Sequence, residues 1–247
     1  MKDKQKNRFW EIDTLRGIAV IMMITYHVFY DLNFYQAYSI NIHGLFWRFF
    51  LYPIGGIFLL LVGISLYLSF TRKEKRLSHK EILYIFWKRG VKIFLLGMVI
   101  TAITLLYLGE GFVVFGVLHC IGLSIILGSF FLKKPLYALP AGLLCIAGGL
   151  ILQNFTFSFP WLLWIGFIPS DFYTVDYFPL LPWFGVVLTG IFIGKNLYPN
   201  YQRRHKIPDM SHFKIIKTLC FIGRHSLMIY FLHQPVIIAL IHLMFKL

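Results

Sequence analysis

Apolar residues run in long stretches along the chain, separated by short polar connections. Stretches able to cross a bilayer fall at about 14–34, 47–70, 90–108, 113–132, 135–152, 179–197 and 221–245, at roughly 20 residues per crossing. This spacing predicts an all-α polytopic membrane protein, a bundle of about seven transmembrane helices. Segment 153–178 breaks the pattern. Its run Trp161-Leu-Leu-Trp-Ile-Gly-Phe167 is too short to cross and is followed by Pro169, Asp171 and Asp176. Two tryptophans suit the membrane interface, so an outer-face half-helix or re-entrant loop is expected there, with a distorted eighth span as the alternative. No internal repeat, low-complexity tract or linker interrupts the chain, which reads as a single domain over 1–247.

Charge gives the spans a direction. Of the 24 basic residues, 22 fall on connections, or just inside helices, at one side, leaving Arg48 and Lys246 opposite. Basic loops stay on the cytoplasmic face, so the N-terminus is expected inside and the protein in the cell (plasma) membrane. The basic, apolar start is expected to be a retained first span rather than a cleaved leader. Composition agrees: 58% of residues are hydrophobic and 14% charged, with a mean hydropathy of +0.72. The net charge of +14 is explained by topology, so no nucleic-acid partner is expected. The positive face meets anionic lipid and suits an anionic cytoplasmic ligand. Cys120, Cys145 and Cys220 lack metal-ligand spacing, and neither a disulfide nor a metal site is expected.

Ionisable groups inside the spans are the candidates for chemistry, because burying them in a bilayer is costly unless function requires it. Ten residues separate Arg16 from His27 in an otherwise apolar run, which puts the two roughly 16 Å apart along a helix. Asp31 follows His27 by one helical turn, the spacing at which a carboxylate orients a histidine acting as a general base. His43 lies in the first external loop, and Glu110, Asp171 and Asp176 share that side. His119 and His233 also lie deep in spans and are read as structural hydrogen-bonding residues between helices, with direct chemistry as the alternative. Pro235 frees a backbone carbonyl that His233 or Gln234 would satisfy. At the other end, Asp13 and Arg16 read either as an N-cap with an interface anchor or as an anion site. The glycines at Gly55-Gly56, Gly63 and Gly148-Gly149 are expected to allow close helix approach. No phosphate-loop or dinucleotide-binding glycine pattern occurs, which argues against nucleotide hydrolysis.

A set of motifs in order carries a resemblance: Asp13-Thr-Leu-Arg16-Gly17 with His27, Gly63-Ile-Ser-Leu, Val117-Leu-His-Cys-Ile-Gly122, Phe178-Pro-Leu-Leu-Pro-Trp-Phe-Gly185 and Gly223-Arg-His-Ser-Leu-Met-Ile-Tyr-Phe-Leu-His-Gln-Pro235. Together they resemble the bacterial branch of the heparan-α-glucosaminide N-acetyltransferase catalytic-domain family. The arginine, ten residues, histidine pattern also resembles the wider acyltransferase-three membrane superfamily. The resemblance implies a transmembrane acetyltransferase that moves an acetyl group from cytoplasmic acetyl-coenzyme A to an amine or hydroxyl of an extracytoplasmic sugar or glycan. It implies a catalytic histidine at His27 or His43; independently of the family, the coenzyme's phosphates suit Arg16 with Asp13 at the donor end, and the one-turn spacing adds Asp31 to His27 at the reacting end. In the lysosomal branch an asparagine stands at the position of His27, and a catalytic histidine follows in the non-cytoplasmic loop, where His43 is the positional match. In the acyltransferase-three branch the histidine matching His27 is itself catalytic. Both assignments therefore stay open, as do direct transfer and an acetyl-histidine intermediate.

Two other classes compete. A proton-coupled transporter or lipid flippase would use the same His and Asp as a relay, with inverted repeats expected. A membrane haem protein would need histidines paired at matching depth. The pattern is compatible with a homo-oligomer and does not require one.

Overall fold

The computed structural model describes residues 8–38 and 44–245. Among the described residues eight α-helices follow one another: α1 (Trp10–Phe34), α2 (Leu45–Glu74), α3 (His79–Leu108), α4 (Val117–Gly128), α5 (Ala138–Leu152), α6 (Leu180–Leu197), α7 (Lys214–Arg224) and α8 (Ser226–Phe245). Of the described residues, five helices are long and apolar enough to cross a membrane, and the apolar helices Val117–Phe131 and Ala138–Leu152 are shorter. At about 1.5 Å per residue, α5 extends about 22 Å, short of a hydrocarbon core of about 30 Å. The chain is an all-α, multi-pass membrane protein. Many large apolar side chains are exposed, among them Leu95, Ile103 and Leu106 on α3 and Leu143 and Leu144 on α5. In water such surfaces are unfavourable; facing lipid tails they cost nothing.

Contacts divide the chain into two compact units, Met1–Phe58 with Ile207–Leu247, and Leu59–Lys206. The division falls inside α2.

In the first unit α1 packs against α7 and α8. The approach of α7 is close because glycine stands at the crossing on both helices. A Cβ on Gly17 would collide with the carbonyl of Leu219, and one on Gly223 with the carbonyl of Asp13. Cys220 lies between these contacts, its Sγ 3.3 Å from Thr14 Oγ1 and 3.4 Å from the Trp10 carbonyl. The expected last span, 221–245, is in fact two helices. The helix breaks at His225, whose N–H returns to the carbonyls of Phe221 and Ile222. Seating Gly223 on α1 holds α7 as a separate basic helix carrying Lys214, Lys217 and Arg224, and α8 starts afresh at Ser226.

In the second unit α4 lies under α3 and α6, and α5 pairs with α6. Glycines again set the spacing: Gly90 of α3 meets Gly122 of α4, Gly142 of α5 meets Gly185 of α6, and Gly63 of α2 meets Gly190 of α6. Of the glycines expected to pack closely, Gly63 and Gly149 do so, whereas a Cβ on Gly56 would meet nothing within 4 Å. Helix α3 starts well before the apolar run because Ser78 and Glu81 form a reciprocal cap, Ser78 N donating to Glu81 Oε2 at 2.8 Å. Gly109 and Gly111 then take φ of +70° and +74° and end the helix in a loop.

Segment 153–178 forms no helix, so the half-helix and the eighth span are both corrected to a loop. Pro160, Pro169 and a Gly166 with φ of +134° interrupt any helical run. The loop folds back onto 111–117. Val175 N–H donates to the Gly111 carbonyl at 3.0 Å and Phe178 N–H to the Phe115 carbonyl at 2.9 Å. The Asp176 carboxylate accepts from Val117 N–H at 3.2 Å, and so caps the N-terminus of α4.

Candidate functional site

The polar residues of the first unit form two groups along α1. The first lies where α1 meets α7. Asp13 is buried, 7% exposed, and Arg16 Nη1 donates to its Oδ1 at 3.2 Å. From α7, Arg224 Nε lies 3.7 Å from Asp13 Oδ2 and donates to the Cys220 carbonyl at 3.0 Å. The N-cap reading of Asp13 is corrected. The cap is Phe9, and Asp13 sits inside the first turn, where it holds two arginines. One carboxylate between two guanidinium groups leaves the cluster net positive, and Lys214 and Lys217 stand exposed on the same helix as Arg224. Such a cluster suits phosphate, which arginine binds through a planar pair of donors. In the sequence Arg224 is one basic residue of that face among many, because its meeting with Asp13 depends on the α1–α7 crossing.

The second group lies further along α1, opposite α8. His27 and Asp31 share one face of α1, and His233 and Gln234 approach from α8. The rings of His27 and His233 have centroids 4.8 Å apart at an interplanar angle of 63°. Asp31 is 3% exposed, and Gln234 Nε2 donates to both its oxygens at 2.9 Å. Asp31 therefore does not orient His27, as the one-turn spacing had suggested; the amide from α8 occupies the carboxylate instead. Aromatic rings complete the wall, Tyr26 edge-on to His27 with centroids 5.6 Å apart and Trp47 beyond Tyr26 at 6.1 Å.

His233 is 9% exposed, and its Nδ1 lies 2.7 Å from the Tyr230 carbonyl. That is the carbonyl one residue before the one Pro235 frees, and Gln234 turns to Asp31 rather than to the backbone. Three buried polar atoms of this cluster, His27 Nδ1, His233 Nε2 and Gln234 Oε1, have no hydrogen-bond partner among the described residues. In hydrocarbon each unsatisfied group costs several kcal/mol, roughly, so three in one place mark a spot built to meet something polar.

His43 lies outside the described residues. His119 behaves as a structural histidine. It is 1% exposed, its Nδ1 accepts from Gly116 N–H at 3.2 Å, and its Nε2 lies 3.4 Å from Thr101 Oγ1. Phe115 stacks on its face at 5.4 Å and Phe94 meets its edge at 5.1 Å. Among the other acidic candidates, Asp176 caps α4, while Glu110 and Asp171 are exposed. Asp171 borders an open cavity of about 460 Å³ walled by Phe157, Leu163, Pro169 and Phe172 of the folded-back loop.

A family model described as "Heparan-alpha-glucosaminide N-acetyltransferase, catalytic" matches residues 8–235. No curated protein and no solved structure matches the chain.

Proposed function

The chain belongs to the heparan-alpha-glucosaminide N-acetyltransferase catalytic family, whose members are membrane acetyltransferases, and from that premise we propose a specific direction of transfer. Acetyl-coenzyme A binds from the cytoplasm, and the acceptor is an amine or hydroxyl of a sugar or glycan on the far side of the plasma membrane. The observation that carries this reading is the arrangement along α1. An arginine cluster suited to phosphate stands at its basic end, with Arg16 paired to Asp13 and joined by Arg224. Roughly 16 Å further along lies a buried polar cluster around His27. The pantetheine arm is long and thin enough to join the two, so no acetyl group need cross as a free ion.

In this scheme Arg16, with Asp13 holding its orientation, receives the coenzyme's phosphates. His27 and Asp31 line the reacting end, and His43 is the other catalytic histidine that the family resemblance puts forward. Transfer is direct, with a histidine removing the acceptor's proton as it attacks the thioester. The two compact units act as one catalytic domain over 1–247, a reading supported by a family match that runs unbroken through both. The N-terminus is cytoplasmic, in keeping with the distribution of basic residues.

The test is acetyl transfer by purified protein in lipid nanodiscs. Radiolabelled acetyl-coenzyme A is offered with glucosamine, galactosamine and glycan fragments bearing free hydroxyls. The wild type should label at least one acceptor. Arg16→Ala should raise the KM for acetyl-coenzyme A, while His27→Ala and His43→Ala should reduce kcat. Failure of the wild type to bind the coenzyme and to label any acceptor would overturn the reading.

A further inference from the structure

Among the described residues, His233 is the histidine of the polar cluster whose tautomer a hydrogen bond sets. A backbone carbonyl accepts hydrogen bonds and cannot donate them, so the 2.7 Å contact between Nδ1 and the Tyr230 carbonyl requires the proton on Nδ1. In the neutral ring Nε2 then carries a free lone pair. That atom is buried and has no partner among the described residues. His27 differs: no described residue hydrogen-bonds its ring, and its buried Nδ1 lacks a partner, so nothing equivalent fixes which nitrogen is basic. Asp31 contributes nothing to either ring, since both its oxygens accept from Gln234.

The geometry points to His233 as the general base of the transfer, its Nε2 taking the proton of the acceptor's amine or hydroxyl. This rests on the acetyltransferase reading above and specifies which group performs its proton step. The acceptor nitrogen or oxygen attacks the thioester carbonyl carbon as its proton passes to His233 Nε2. The carbon–sulfur bond breaks, its electron pair leaves with sulfur, and the thiolate takes the proton from Nε2 to give free coenzyme A. The ring returns to its starting tautomer with Nδ1–H still on the Tyr230 carbonyl. Gln234 holds the Asp31 carboxylate through both oxygens. Its Oε1, without a partner among the described residues, is an acceptor for a second hydroxyl or N–H of the sugar, a polarity that favours a polyhydroxylated acceptor over a lipid tail.

The sequence places His233 two residues before Pro235 in an apolar span, where a structural role is the simpler expectation. A structural role would need only the Nδ1 donor. Asparagine separates the two roles, because its side-chain amide reaches the same carbonyl while offering no basic nitrogen. In nanodiscs, with glucosamine as acceptor probe, His233→Asn and His233→Ala should both lower kcat by about 10²-fold or more, the usual scale of general-base catalysis. The Kd for coenzyme A should stay within twofold, and added imidazole should restore part of the activity of His233→Ala. In parallel, ¹⁵N spectra of histidine-labelled wild type, assigned by difference against His233→Asn, should show His233 as the Nδ1–H tautomer. A His233→Asn variant within threefold of wild-type kcat would overturn the assignment, as would an Nε2–H tautomer. A wild type that labels no acceptor would overturn the acetyltransferase reading and this step with it, an outcome distinct from an active enzyme indifferent to His233.

Discussion

Asp31 shows how a neighbour on another helix changes what a side chain does. Alone on α1, its spacing from His27 invites a histidine–carboxylate pair; with α8 in place it is held by the Gln234 amide through both oxygens. Gln234→Ala leaves a buried carboxylate without its donor, a loss of about 1–3 kcal/mol. The expected readout is a lowered melting temperature in nanodiscs, and an unchanged melting point would show that water serves Asp31 equally well. His119 provides the contrast with His233. Both lie in apolar spans, but both nitrogens of His119 are engaged and its ring is packed between Phe94 and Phe115. His119→Ala should therefore cost about 2–4 kcal/mol of stability while the folded fraction keeps wild-type kcat. Specific activity corrected for folded protein, by binding of a conformation-sensitive probe, checks this.

At the scale of helices, glycine decides which elements touch. Gly17 and Gly223 let α1 and α7 cross with backbone against backbone, and this crossing brings Arg224 to Asp13. Gly17→Val forces a branched side chain against the Leu219 carbonyl and should destabilise the first unit by about 1–3 kcal/mol or more. It should also raise the KM for acetyl-coenzyme A, because the arginine pair depends on the same crossing. Gly56→Ala is the control: a Cβ there meets nothing within 4 Å, and alanine is the better helix former by roughly 1 kcal/mol. It should leave melting temperature and KM unchanged or slightly improved. Paired thermal melts and initial-rate kinetics on the two variants test both statements. The same scale explains where the expected elements moved. α3 gained residues from a reciprocal cap, the last apolar run split at His225, and 153–178 stayed a loop because prolines and a positive-φ glycine interrupt it.

For the whole molecule, the membrane is the organising solvent. Apolar side chains cover the outside of α3, α5 and α8, while the polar atoms of α1 and α8 turn toward one another. The proposed topology puts Tyr38, after α1, and Ser211, before α7, on opposite faces. Cysteine introduced singly at these positions in a background lacking Cys120, Cys145 and Cys220 should react with an impermeant maleimide from opposite sides of sealed vesicles. Labelling of both from the same side would overturn the direction of transfer.

Class and the apolar helices were legible in the chain because they rest on a local quantity, about 20 apolar residues per crossing, while the basic count of each connection supports the proposed sidedness. Arg16, His27 and Asp31 stood out for a similar reason, since the cost of an ionisable group in a bilayer does not depend on knowing its neighbours. Their partners were not legible. Asp31 and Gln234 are 203 residues apart in the chain, and Arg224 reaches Asp13 only across the glycine contact of α1 with α7. The proposed role of His233 turns on one hydrogen bond to Tyr230 and on Nε2 having no partner among the described residues. Which nitrogen stays free is a property of packed helices, because hydropathy sets where a helix lies in the bilayer but not which face meets which neighbour.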